Sequence, residues 1–166
     1  MTKGRIAFQG ELGANSHEAC QTYFPDYTPV PCLTFEEVFE AIKSGACALG
    51  MIPVENSIAG RVADVHHLLP ESGLRIIGER FKPIRFNLMV NRGVTLATVK
   101  TAASMPIALY QCRESLKRLG LKGEAAGDTA GAAKALAEHP DPTRAAVSPA
   151  LAAQIYGLDI LARDIQ

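Results

Sequence analysis

The sequence predicts an α/β fold built from repeated strand–helix units. Short apolar runs alternate with stretches whose apolar positions recur every three or four residues. Glycine, proline and capping residues punctuate the boundaries between the two kinds of segment. No internal repeat or low-complexity stretch interrupts the alternation, and such a pattern folds into a largely parallel sheet with helices on its faces.

Residues 5–8 read as the first strand. The glycine-punctuated loop Gly10-Glu11-Leu12-Gly13 leads into a helix over 16–23. Residues 27–32 suit an edge strand, because Pro29 and Pro31 cannot donate to a ladder. Thr34 and Glu37 have the spacing of a capping box, and Phe35, Val38, Phe39 and Ile42 form one apolar stripe behind it. Gly45 ends that helix and a buried strand follows over 48–54. Helix is predicted over 60–69, then strands over 74–77 and 84–90 around Pro83. A short strand at 101–104 precedes a helix that opens at Pro106, buries Leu109, Cys112, Leu116 and Leu119, and stops at Gly120. Asp128 or Thr129 caps a helix reaching Ala137. After the proline-rich loop at 139–142 come a strand at 145–147, a helix at 149–156 and a strand at 158–161.

Composition narrows the function classes. Lys plus Arg and Asp plus Glu both number 17, so no net basic field attracts nucleic acid or an anionic membrane. No apolar run approaches the length of a membrane span and no signal peptide is read at the start, so a cytoplasmic protein is expected. The four cysteines are scattered without a Cys-x-x-Cys pair, which suits buried thiols in a reducing compartment. Their spacing, and that of His66-His67, is wrong for a zinc site, so no metal is expected.

Three segments are placed to carry chemistry. Each is read as following a strand and preceding a helix, at the carboxyl edge of a sheet where α/β proteins hold ligands. Helix starts there offer N–H groups and a positive dipole end to anions. The first runs from Gly10 to His17, with Ser16 at the helix start. As an anion cradle alone the pattern is weak, and a capped turn is the favoured reading of it. The second is Pro53-Val54-Glu55-Asn56-Ser57-Ile58-Ala59-Gly60. Capping needs one polar residue, and here an acid, an amide and a hydroxyl stand in succession. The third is Gly127-Asp128-Thr129-Ala130-Gly131, whose small residues let a backbone or ligand approach. Ser104 and Gln111 flank the helix that opens at Pro106.

Taken in order, these segments resemble the prephenate dehydratases. The resemblance lies in Gly10-x-x-Gly13-x-x-Ser16-His17, Ile52-Pro53-Val54-Glu55-Asn56-Ser57-x-x-Gly60, Ala108-Leu109-x-Gln111-Cys112, Asp128-Thr129-Ala130-Gly131-Ala132-Ala133 and Ala152-Ala153-x-Ile155-Tyr156-Gly157-Leu158-x-Ile160-Leu161-Ala162. It implies two α/β lobes with a cleft, as in type II periplasmic binding proteins. The first lobe is expected to hold residues 1–80 with 146–166, the second 84–145. It further implies conversion of prephenate to phenylpyruvate in phenylalanine biosynthesis, without a cofactor, in a homo-oligomer that binds neither nucleic acid nor membrane. Catalytic positions map onto Glu55, Asn56, Ser104, Gln111, Asp128 and Thr129. Ser16, Ser57, Gly60, Ala130 and Gly131 are the candidate substrate-binding positions.

The sequence also departs from the family pattern. Met105 stands where the family often has histidine, and Glu11, Ala14 and Asn15 replace the commoner Pro, Thr and Tyr. The family continues after the last strand into a Thr-Arg-Phe motif with a catalytic threonine, and then into a regulatory ACT domain that senses phenylalanine. The 166 residues are read as stopping short of both, with impaired activity as the expectation. A non-catalytic binding module for a small aromatic carboxylate is the alternative from a different class, and arogenate is the alternative substrate.

Overall fold

The computed structural model describes residues 3–166, which form two compact units. The first runs to Glu11 and resumes over Asn15–Pro83. The second comprises Leu12–Ala14 and Ile84–Gln166.

The first unit is built on β1 (Gly4–Gln9), α1 (Asn15–Tyr23), β2 (Tyr27–Cys32), α2 (Phe35–Lys43) and β3 (Leu49–Met51). The strands form a parallel sheet in the order β2-β1-β3. Ile6, Ala7 and Phe8 of the central strand are fully buried because both faces are covered. Ile6 and Phe8 pack with Cys20 of α1, while Ala7 points the other way to Val38 of α2 and Cys47. β2 is an edge, and its two prolines, two residues apart, put both missing N–H groups on one side. Thr34 caps α2, its Oγ1 accepting from Glu37 N at 3.2 Å. The reciprocal bond of the box is shifted by one residue: Glu37 Oε2 accepts from Leu33 N at 2.7 Å.

Beyond β3 the chain departs from the sequence expectation. Gly60–Arg61 is a strand, β5, paired antiparallel with β4 (Glu55–Asn56), and α3 begins only at Ala63 and ends at Glu71. Residues 74–77 form no strand, and Ile76, Ile77 and Phe81 are exposed. An apolar run becomes a strand only when a neighbour supplies a ladder, and none lies beside this one. The chain just beyond it is tied to side chains of α1. Tyr23 Oη donates to Phe81 O at 2.9 Å, and Lys82 pairs with Glu18 at 2.7 Å.

The second unit contains β6 (Asn87–Val90), β7 (Thr101–Ser104), α4 (Pro106–Gln111), α5 (Arg113–Arg118), β8 (Lys122–Ala125), α6 (Thr129–Glu138), β9 (Arg144–Ser148), α7 (Ala150–Tyr156) and β10 (Asp159–Ala162). Its sheet has the order β10-β6-β9-β7-β8 and is mixed. β7 runs parallel to β8 and β9, while β6 runs antiparallel to β9 and β10. One apolar layer joins Leu88, Val90, Ala102, Ala145 and Val147 to Ala108, Cys112 and Leu116. The other joins Met89, Ala103 and Ala146 to Ala130, Ala133, Ala152 and Ala153. The single helix expected after Pro106 breaks at Cys112, whose φ of −93° and ψ of 2° leave the helical region.

Residues 146–166 therefore lie in the second unit, not with the first lobe as the sequence reading has it. β9 is sandwiched between β6 and β7, and β10 closes the far edge against β6. The last residues are fastened by Ile165 N to Phe86 O at 2.9 Å and Phe86 N to Gln166 Oε1 at 2.6 Å. No described helix is long and apolar enough to cross a membrane.

Candidate active site

The carboxyl ends of β7, β8 and β9 fall on one edge of the second unit's sheet because these strands are parallel. β6 is antiparallel to β9, so its first residue reaches the same edge, where Asn87 lies opposite Ser148. Among the described residues the buried polar side chains are His17, Asn87, Ser104, Thr129 and Ser148, and all but His17 gather here. The sheet's other buried residues are apolar. Burying such groups costs free energy unless hydrogen bonds repay it, so their collection at a ligand-prone edge makes this edge the candidate site.

Their partners decide what each can do. Ser104 Oγ donates to Val147 O at 2.7 Å within a fully buried position. Its proton is committed, and only its lone pairs remain to offer. Asn87 Nδ2 reaches Ser148 O at 3.4 Å. Asp128 is the N-cap of α6, with a carboxylate oxygen accepting from Gly131 N at 2.6 Å. That bond consumes one helix-start donor and places a negative charge at the helix entrance, which weakens α6 as an anion cradle. Thr129, directly after it, is buried in the first turn, with Ala130 fully buried and Gly131 half-buried behind it. Gln111 is the last residue of α4, so its backbone lies about 7–8 Å along the helix from Pro106 at 1.5 Å per residue.

The first unit gathers the other sequence candidates on a hairpin rather than at a strand-to-helix junction. Glu55 faces Arg61 across β4 and β5, and Asn56 faces Gly60. Ser57, Ile58 and Ala59 form the turn, and Gly60 takes a positive φ of 81°. Asn56 Oδ1 accepts from Ile58 N at 2.9 Å and Ala59 N at 2.8 Å, so the amide oxygen closes its own turn. Glu55 and Ser57 are exposed. Ser16 lies half-buried in the first turn of α1. Beside it His17 is buried and stacked on Phe8, with ring centroids 5.3 Å apart and planes 3° from parallel. Burial holds its pKa below the usual histidine value, with nearby Glu18 opposing.

Three of the four cysteine thiols are poor nucleophiles. Burial pushes Cys20 and Cys112 up to about 12 and raises Cys32 as well. Among the described residues, no three His, Cys, Asp or Glu side chains are grouped to hold a metal ion.

The sequence profile of the prephenate dehydratases matches residues 6–166. The chain belongs to the prephenate dehydratase family. It is 43% identical over 161 residues to a bifunctional N-acyl-homoserine lactone acylase/prephenate dehydratase of Komagataeibacter europaeus, covering 97% of this chain and 57% of that one. It is 41% identical over 162 residues to a chloroplastic arogenate dehydratase/prephenate dehydratase of Arabidopsis thaliana, covering 98% and 42%. The crystal structure of a prephenate dehydratase in complex with L-Phe, from Arthrobacter aurescens, superposes with a TM-score of 0.87 at 30% identity, covering 97% of this chain and 55% of that chain. The α/β fold with open sheets is thus that of the prephenate dehydratases. The chain spans about half the length of the relatives it matches.

Sequence reasoning missed Asn87 and Ser148. A signal for Ser148 was present, since it ends an apolar strand directly before Pro149 and a helix, the same junction used to select the other loops. Asn87 carries no such signal. It reaches the edge only through antiparallel pairing with β9.

Proposed function

We propose that this chain is the catalytic part of an enzyme that converts prephenate to phenylpyruvate, carbon dioxide and water on the route to phenylalanine. The observation that carries the reading is the buried polar edge of the second unit, built from segments that match the family. In the reaction the bond from the ring to its carboxylate breaks and its electrons aromatise the ring. The ring hydroxyl leaves with a proton as water. The protein must hold the substrate's carboxylates and supply that proton.

Glu55, Asn56, Ser104, Gln111, Asp128 and Thr129 are assigned to this reaction, with Ser16, Ser57, Gly60, Ala130 and Gly131 as binding positions. The structure favours a division among them. The exposed Ser57 hydroxyl, the Asn56 amide N–H groups and the Gln111 amide suit holding oxygen atoms of the substrate. Ser104 already donates its O–H to the Val147 carbonyl, so it serves as an acceptor and not as the acid. Thr129 is the buried hydroxyl of the second unit closest in sequence to the Asp128 cap, and it is assigned as proton donor there. The resemblance to the family implies a further catalytic hydroxyl, the threonine of a Thr-Arg-Phe segment. A polypeptide of these 166 residues should therefore turn over slowly. The cytoplasm is assigned from the scattered cysteines, and a homo-oligomer from the family.

The names of the relatives supply two further substrates to test. Arogenate undergoes the same loss of carboxylate and hydroxyl. An N-acyl-homoserine lactone requires hydrolysis of an amide instead. The assay offers prephenate, arogenate and an N-acyl-homoserine lactone in parallel and identifies products by mass. Phenylpyruvate from prephenate, lost on Thr129→Val, supports the reading. Turnover of the lactone alone would replace it.

A further inference from the structure

Among the described residues the second unit buries two hydroxyl oxygens without a hydrogen-bond partner, Thr101 Oγ1 at the start of β7 and Ser148 Oγ at the carboxyl edge of the sheet, and only the second lies at the candidate site. Ser148 ends β9 in a fully buried position, and its Oγ has no hydrogen-bond partner among the described residues. Side chains alternate along a strand, so Ser148 shares the face of Ala146, which packs among Ala130, Ala133 and Ala152. The hydroxyl therefore lies on the side of α6 and α7, at the edge where Thr129 opens α6.

The neighbouring polar groups of this edge differ in one respect. Ser104 spends its proton on Val147 O, and Asn87 spends an N–H on Ser148 O. Ser148 is left with an unspent donor. A buried hydroxyl without a partner is a net cost to folding. Alanine already fills two other buried positions of the strand, Ala145 and Ala146, and alanine at 148 would remove that cost.

We propose that Ser148 is a substrate-positioning residue whose O–H donates to a carboxylate or hydroxyl oxygen of the ligand held at this edge. The identity of that ligand rests on the prephenate reading above. Because Ser148 is fully buried, side chains around it must give way before the bond forms, so the bond belongs to the bound state alone. Removing the hydroxyl then has two effects of opposite sign. Folding is unchanged or improved, while ligand binding weakens. A serine retained only for packing would lower both together.

The test measures prephenate affinity by titration calorimetry near neutral pH, and thermal unfolding, on the full chain and on Ser148→Ala and Ser148→Cys. The cysteine variant keeps the volume and replaces the hydroxyl with a weak donor. The expected result is affinity reduced on the order of 10-fold in both variants, with unfolding temperatures equal to or above the parent's. Equal affinity in parent and variants would overturn the inference while leaving the prephenate reading in place. Weakened affinity accompanied by a lower unfolding temperature in both variants would also overturn it, assigning Ser148 to packing. If the unsubstituted chain does not bind prephenate, the functional reading fails and this inference falls with it.

Discussion

Asp128 stands where a structural role and a chemical role make opposite forecasts. Its carboxylate accepts from Gly131 N at 2.6 Å and starts a ten-residue helix whose buried face carries Thr129, Ala130, Ala132, Ala133 and Leu136. Replacing an N-cap acceptor with alanine costs about 1 kcal/mol, with a range of roughly 0.5–2. The negative charge at the helix start adds about 0.3–1 kcal/mol. Asp128→Ala should therefore lose about 1–2 kcal/mol, and Asp128→Asn, which keeps the cap but drops the charge, no more than about 1 kcal/mol. For a chain of this size each kcal/mol shifts the unfolding midpoint by about 2–4 °C. Thermal unfolding followed by far-ultraviolet circular dichroism reads the difference. Asp128→Ala unfolding at the parent's midpoint would refute the capping account. Asp128→Asn with near-parent stability but turnover reduced about 100-fold or more would show that the carboxylate acts in the chemistry.

Two glycines with positive φ separate strain from crowding. Gly13 has φ of 96°, and a Cβ there would lie 2.7 Å from Ala152 Cα, whereas Gly60 has φ of 81° and open space. Gly60→Ala should cost about 1–2 kcal/mol and Gly13→Ala at least about 1 kcal/mol more, read as a difference in urea midpoints. His17 makes stability depend on pH. Its folded pKa lies below the ordinary 6.5, so the native state favours the neutral ring. Its contribution is complete above 6.5 and is lost as pH falls through the lower folded value. His17→Gln should flatten the stability profile below 6.5, and an unchanged profile would remove His17 as the cause. Glu55→Gln should leave the unfolding midpoint within about 0.5 kcal/mol of the parent, since the side chain is exposed. Lower prephenate turnover in that variant is the outcome that keeps Glu55 in the site.

The parts of the fold legible in the sequence are those whose signals are local. The Thr34 cap with its apolar stripe gives α2, and Pro149, Gly157 and the runs around them give β9, α7 and β10 almost to the residue. The illegible parts depend on distant partners. Residues 74–77 have strand composition but no ladder, while Lys122–Ala125, polar and largely exposed, becomes strand β8 because β7 pairs with it. The same physics limits the site. The candidate loops could be picked from residue types, but their hydrogen bonds could not. Ser104 looks like a free hydroxyl and is tied to Val147, and Asn56 looks like a ligand group and closes its own turn. Asn87 joins the edge only through pairing with a strand far along the chain.

The central claim is best tested by following prephenate near neutral pH, where an enzyme-free control corrects for its spontaneous decay. Two polypeptides are compared: the 166 residues described, and the same residues extended through a Thr-Arg-Phe segment taken from the family. The account predicts phenylpyruvate and carbon dioxide in equal amounts from the extended polypeptide, and turnover slower by about 10²–10⁴-fold from the 166 residues. Absence of phenylpyruvate from both, with prephenate recovered intact, would contradict it.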